Sequence, residues 1–365
     1  MFPSSPAEAG RDPWSTGRSA PPPGRAPAPR DSRTEVSGGG HAAGPAGRGR
    51  RVPAHQTGAG GRGTDRVDAP GGAGGEERPD SGPRDIGLVP VRRLLSLVIA
   101  GFAGLLGVGL VFGAQTAGPG TARVPYAVVI FGVQLLFVLA WTMAMRPPAL
   151  PVVAAVGILT AMAADVAAVR PQVAALAPLG FVAAAGFAAG VLGQLFRRRD
   201  RARVTESLGA TLIVVVGVVA FATLIVLTRL ASGTQAIVVC LTATGVSIVV
   251  ARVLDTIAPV PRLAPQVPRG ATGVVLGAML GTLAAAVLGS YVYPFTPVRG
   301  ALVGLVAAVA AGLADLGADF GEAGRQMAGE LPTMWLARHM QGPLGGFALA
   351  APLAYLMSVL FLVPA

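Results

Sequence analysis

Between Gly312 and Gln326 the chain reads GLADLGADFGEAGRQ. Asp315, Asp319 and Glu322 stand at i, i+4 and i+7, which puts three carboxylates on one face of a helix. Arg325 follows them, and the stretch before them is apolar. A carboxylate at membrane depth costs about 3 kcal/mol, so it usually faces a polar cavity or a partner. Asp315, inside the apolar run, is the candidate for a functional or partner-facing role. Asp319 and Glu322 also fit the plain polar end of a helix. Asp165 is a second acid of the same kind, within an earlier apolar run.

The elements that carry these acids follow from composition. Of 365 residues, 52% are hydrophobic and only 13% charged, with a mean hydropathy of +0.61. Soluble domains hold about 25% charged residues. Residues 1–88 are rich in Pro, Gly and Arg and poor in large apolar side chains, which predicts a disordered tail. From residue 89 onward, apolar runs of about 20 residues predict membrane helices. The runs are Leu94–Gly113, Val124–Met145, Pro151–Val169, Ala177–Phe196, Leu208–Leu227, Ala236–Leu254, Ala271–Tyr293, Ala301–Phe320 and Leu344–Val363. The expected fold is all-α, a polytopic membrane helix bundle of about nine spans. Pro151–Val169 is the weakest run, because it contains Asp165 and many small residues.

Arginine sets the expected orientation through the positive-inside rule. The chain has no Lys and no Asn, a sign of GC-rich coding, so the number of Arg residues says little about partners. Their placement says more. With the tail in the cytoplasm, Arg92, Arg93, Arg146, Arg197, Arg198, Arg199, Arg201, Arg203, Arg252, Arg262, Arg269, Arg325 and Arg338 lie inside. Only Arg123, Arg170, Arg229 and Arg299 lie outside. The expected location is the plasma membrane, with the N-terminus cytoplasmic and the C-terminus extracytoplasmic. No secretory signal peptide is expected, since Met1 is followed by polar, Pro-rich sequence.

Other signals resolve to plain readings. FRRRDRARV, Phe196–Val204, fits a positive-inside anchor that touches anionic headgroups. The Arg-Gly segment Ala46–Arg66 lacks aromatics and contains acids, so no specific nucleic-acid binding is expected. The single Cys240 excludes an internal disulfide and a Cys-based zinc site. VGLVFGAQTAGPG has neither the preceding strand nor the following Lys-Ser of a phosphate loop.

The nine-span layout, with Asp315-Leu316 near the end of the eighth run and one more span after it, resembles the phosphatidate cytidylyltransferases (CDP-diacylglycerol synthases). The resemblance covers residues 94–365. In that family the Asp-Leu pair is followed by S-x-x-K-R-x-x-x-x-K-D and then H-G-G-x-x-D-R-x-D. Here Asp319 stands for the Ser, Glu322 and Ala323 for the Lys-Arg, and Ala328 and Gly329 for the Lys-Asp. Gly342, Pro343, Leu344 and Gly345 stand for D-R-x-D, and His339 is two places off the family His. In the loop APVPRLAPQVPRG, Pro265 alone matches a Ser-Pro-Lys-Lys segment, with Gln266 and Val267 at the Lys positions.

The family reaction joins two polyanions, CTP and phosphatidate. It needs metal-held carboxylates and cations against the developing charge. The losses therefore imply a member with lost or altered catalysis, a pseudoenzyme that keeps a lipid- or partner-binding role. The alternative is an active enzyme with a rebuilt site. Asp315, Asp319 and Glu322 would then hold Mg2+, which accepts one or two carboxylates plus waters and phosphates. Arg262, Arg269, Arg325 and Arg338 would contact phosphate or headgroup. Implied partners are membrane lipids including phosphatidate, CTP only if the enzyme is active, and a second copy in a homodimer. A small-solute transporter is the third class, weakened by the lack of polar residues along most spans. The family geometry implies that Asp315 faces a cavity about 6 Å deeper than Asp319, with Glu322 above on the same face. Arg252, Arg262, Arg269, Arg325 and Arg338 are the candidate partners, and without one Asp315 would keep its proton.

Overall fold

The computed structural model describes residues 90–170, 174–196, 203–330 and 334–361. The expected disordered tail and the Arg197–Arg201 cluster lie outside these residues. Among the described residues, nine helices are long and apolar enough to cross a membrane. They are α1 (Arg93–Thr116), α2 (Val124–Met145), α3 (Leu150–Val169), α4 (Ala177–Leu195), α5 (Val204–Leu227), α6 (Gly233–Ile257), α7 (Ala271–Tyr291), α8 (Pro297–Met327) and α9 (Trp335–Phe361). At 1.5 Å per residue these lengths match a hydrocarbon core of about 30 Å. The chain is a multi-pass helical membrane protein. Pro125, Pro151, Pro178 and Pro297 fall in the first turns of α2, α3, α4 and α8, where a missing N–H leaves no bond unmade.

Two groups of helices meet on α9. One contains α2, α3, α4 and α5; the other contains α1, α6, α7 and α8; α9 packs against members of both. The core is densest along α5, α6 and the middle of α9, where Phe221, Leu224, Ile237, Leu241, Leu344 and Phe347 are fully buried. Phe181 and Leu192 on α4, and Val275, Met279 and Leu283 on α7, are exposed as lipid-facing residues. Gly273, Gly277 and Gly281 line the face of α7 that meets α6. A Cβ there would come within 2.9, 2.5 and 2.6 Å of the carbonyls of Ala251, Ser247 and Ala243. Such small residues let membrane helices pack backbone to backbone.

Three departures from the sequence expectation bear on the site. First, α8 does not stop at Phe320 but runs on to Met327. Second, α9 starts at Trp335, well before Leu344, and contains Pro343 and Pro352. Third, the loop after α6 holds a short antiparallel hairpin, β1 (Arg262–Ala264) and β2 (Val267–Gly270), with Arg262 opposite Gly270. The hairpin returns onto the bundle: Val267 and Arg269 are buried, and Ala271 N donates to Pro261 O at 2.8 Å. The weakest run, Pro151–Val169, forms a full helix whose Asp165 is buried.

Candidate functional site

The first site residues are brought by the end of α6. Arg252 and Asp255 stand three apart, one face of the last turns, and Ser96 on α1 steadies that turn by donating to Arg252 O at 2.7 Å. The hairpin adds Arg269, on β2 just before α7, and α8 adds Asp315 and Asp319 one turn apart.

These five side chains form one buried ion-pair network. Arg252 is bidentate on Asp315: Nε donates to Oδ2 at 3.0 Å and Nη2 to Oδ1. The same Nη2 lies 3.1 Å from Asp319 Oδ2. Arg269 Nη1 donates to Asp315 Oδ2 at 2.6 Å and to Asp319 Oδ2 at 3.0 Å. Its Nε sits 2.7 Å from Asp255 Oδ2, an ion pair whose N–H is not aligned for a hydrogen bond. The other Asp255 oxygen accepts from Gly270 N at 2.9 Å, which fastens the hairpin to the end of α6. Asp315 is 0% and Arg269 1% exposed, while the Asp319 side chain is 17% exposed. The network therefore runs from the closed interior to its edge at Asp319.

Burial works against the charge on Arg269. The carboxylates of Asp315, Asp319 and Asp255 outweigh it and hold the guanidinium above its ordinary range. The planar fork of arginine suits this place, since it can meet several carboxylates at once. Three carboxylates surround two guanidiniums, so the formal balance is one negative charge.

Glu322 does not join this network. Its Oε1 accepts from Arg338 Nη1 at 2.7 Å and Gln326 Nε2 at 2.8 Å, and its Oε2 from Arg325 Nη2 at 2.9 Å. His339 Nε2 lies 3.4 Å from Arg338 Nη2. These groups are partly buried at the end of α8 and the start of α9. The acids of GLADLGADFGEAGRQ are thus divided: Asp315 and Asp319 go with Arg252 and Arg269, and Glu322 with Arg325 and Arg338. Arg262 stands on β1, half-buried, and is not among the ion-pair partners of Asp315. Among the described residues, no three His, Cys, Asp or Glu side chains converge as a metal-ligand set.

Sequence reasoning missed two members. Asp255 closes the hairpin onto α6; its only signal was its place three residues after Arg252 at the end of an apolar run. Gly342, on α9, is buried against the network, and a Cβ there would overlap Asp315 Oδ1 and sit 3.1 Å from Arg252 Nη2. No protein-family model, curated protein or solved structure matches this chain.

Proposed function

We propose that this chain is a non-catalytic integral membrane protein, a pseudoenzyme of phosphatidate cytidylyltransferase layout, which works by contact with lipid or a membrane partner. One observation carries the reading: both oxygens of Asp315 and the inward oxygen of Asp319 are already taken by the guanidiniums of Arg252 and Arg269. A magnesium ion would have to displace two buried arginines from the carboxylates that neutralise them. Removing one partner of such a buried pair costs about 3–5 kcal/mol. The donor set therefore does not fit a magnesium site in this arrangement, and Arg269, Arg325 and Arg338, three of the four candidate phosphate contacts, are spent on the protein's own acids.

Lipid contact is supported by an apolar groove of about 610 Å³ between α7 and α8. Met279, Leu283, Leu305 and Val309 line it, and it reaches Leu313, two residues before Asp315. Its apolar walls suit an acyl chain.

Purified protein in detergent, given CTP, magnesium and phosphatidate, is expected to release no pyrophosphate above a lipid-free control. Turnover that Asp315→Ala abolishes would overturn the reading in favour of a rebuilt enzyme.

The positive-inside distribution supports a cytoplasmic N-terminus and an extracytoplasmic C-terminus. Cysteine labelling tests this cleanly, because the native Cys240 is fully buried. In intact cells a membrane-impermeant maleimide is expected to label Tyr293→Cys, between α7 and α8, but not Pro265→Cys at the hairpin tip. The reverse pattern would invert the topology.

A further inference from the structure

A second intramembrane polar group sits among α2, α3 and α5, apart from the arginine network. Asp165, near the end of α3, and Gln134, midway along α2, are both buried. The carboxamide nitrogen of Gln134 donates to Asp165 Oδ1 and to Val218 O on α5, each at 2.9 Å. Both of its protons are therefore used. Two acceptors remain sealed from solvent without a donor: Asp165 Oδ2 and Gln134 Oε1. Turning the amide over would set Gln134 Oε1 against the carbonyl oxygen of Val218, so that backbone acceptor fixes the orientation.

Among the described residues, no cation forms an ion pair with this carboxyl group. Around α3, helix α2 carries only Tyr126 as a titratable residue, α4 none, and α5 only Glu206. Glu206 pairs with Arg203 at the far end of α5, about 18 Å along the axis from Val218. Arg123 caps the start of α2 and Arg170 the end of α3. Arg229 Nη1 donates to Ala168 O at 2.8 Å, and the ion pairs among the described residues do not include Asp165. An unpaired carboxylate among apolar helices would be costly, and the acid and the amide that share one hydrogen bond each keep a buried acceptor without a donor. One proton on Oδ2 answers both conditions.

We propose that Asp165 carries a proton in the folded protein, so that an uncharged acid–amide pair with Gln134 joins α2, α3 and α5 as a proton-binding site. Losing the proton leaves an uncompensated charge between three packed helices, so the pair is a proton-sensitive joint in that half of the bundle. Asn at 165 has the same shape, is neutral, and supplies an N–H where the acid supplies its O–H.

Infrared spectroscopy of the full-length protein in lipid vesicles tests this. At neutral pH the wild type is expected to show a protonated-carboxylic-acid carbonyl band that Asp165→Asn lacks, with an unchanged thermal midpoint. Asp165→Ala is expected to lower the midpoint, and Gln134→Leu to move the band to higher frequency as the carbonyl loses its partner. Identical wild-type and Asp165→Asn spectra at neutral pH would overturn the proposal. So would a band that emerges only when sodium is removed, which would mean an ionised Asp165 holding a metal cation. An acid band unmoved by Gln134→Leu would refute the pairing even if Asp165→Asn failed to fold.

Discussion

Asp315→Leu is expected to cost the membrane domain about 3–5 kcal/mol, the usual penalty when one partner of a buried ion pair is removed. Leucine fills most of the space, so packing is not what is lost. Arg252 loses its bidentate acceptor and keeps only the 3.1 Å contact to Asp319; Arg269 loses its 2.6 Å contact and keeps Asp255 and Asp319. The loss is read as a drop in the thermal midpoint and in the monodisperse fraction after detergent extraction. Asp315→Leu combined with Arg252→Met is expected to be milder than Asp315→Leu alone, because the second change removes the stranded charge. That inversion is the diagnostic result, since two independent defects would add. A single variant as stable as the parent would mean that the network does not hold the bundle, and would reopen Asp315 to other ligands.

The spans were legible because each is a predominantly apolar run long enough for a bilayer. The hairpin was not. Its strands have three and four residues, and Pro261, Pro265 and Pro268 in and around them argue against strand formation. What holds it is tertiary: Asp255 accepting from Gly270, Thr272 Oγ1 donating to Val260 O, and Arg269 drawn to the acids of α8. The end of α8 was misread for a related reason. Polarity after Phe320 looks like a helix stop, yet Glu322, Arg325 and Gln326 pair at i+3 and i+4 spacing, and Arg338 reaches Glu322 from α9. Pro343 likewise marks a break in sequence, but burial of Gln341, Gly342 and Pro343 outweighs the lost backbone bond.

At the site, spacing alone made Asp315 and Asp319 candidates, and the shared membrane side made Arg252 and Arg269 eligible partners. Nothing in one dimension could divide the acids between two pairs of arginines. That division comes from where the hairpin and the first turns of α9 return to the bundle. Glu322 is seven residues beyond Asp315 and on the same face by count, but the nearest cations at its level belong to α8 itself and to α9. Asp255 falls just past the apolar run, where a carboxylate reads as a plain helix end; the folded hairpin and the start of α7 bury it.

Gly342→Ala is expected to be strongly destabilising, through the ion-pair network and not through apolar packing. The added Cβ would overlap Asp315 Oδ1 and crowd Arg252 Nη2, and neither group has room to withdraw because each is held by the other. Overpacking by itself costs about 1–3 kcal/mol. If the carboxylate is pushed off Arg252, the cost approaches the about 3–5 kcal/mol of a broken buried pair. Gly345→Ala is the matched control. It lies on the same helix and is also buried, but its Cβ would meet Trp141 Cζ2 at 3.7 Å and Ala314 Cβ at 3.8 Å, ordinary contacts. There the gain in helix propensity, about 1 kcal/mol, is expected to leave stability unchanged or raised. The decisive comparison is Gly342→Ala in an Asp315→Ala background, where the clashing oxygen is gone. The double variant is expected to be no less stable than Asp315→Ala alone, because the methyl group would occupy the space the carboxylate left. Additive losses would show that Gly342 is needed for some other reason, and that close approach of α9 to the Asp315–Arg252 pair is not what the glycine provides.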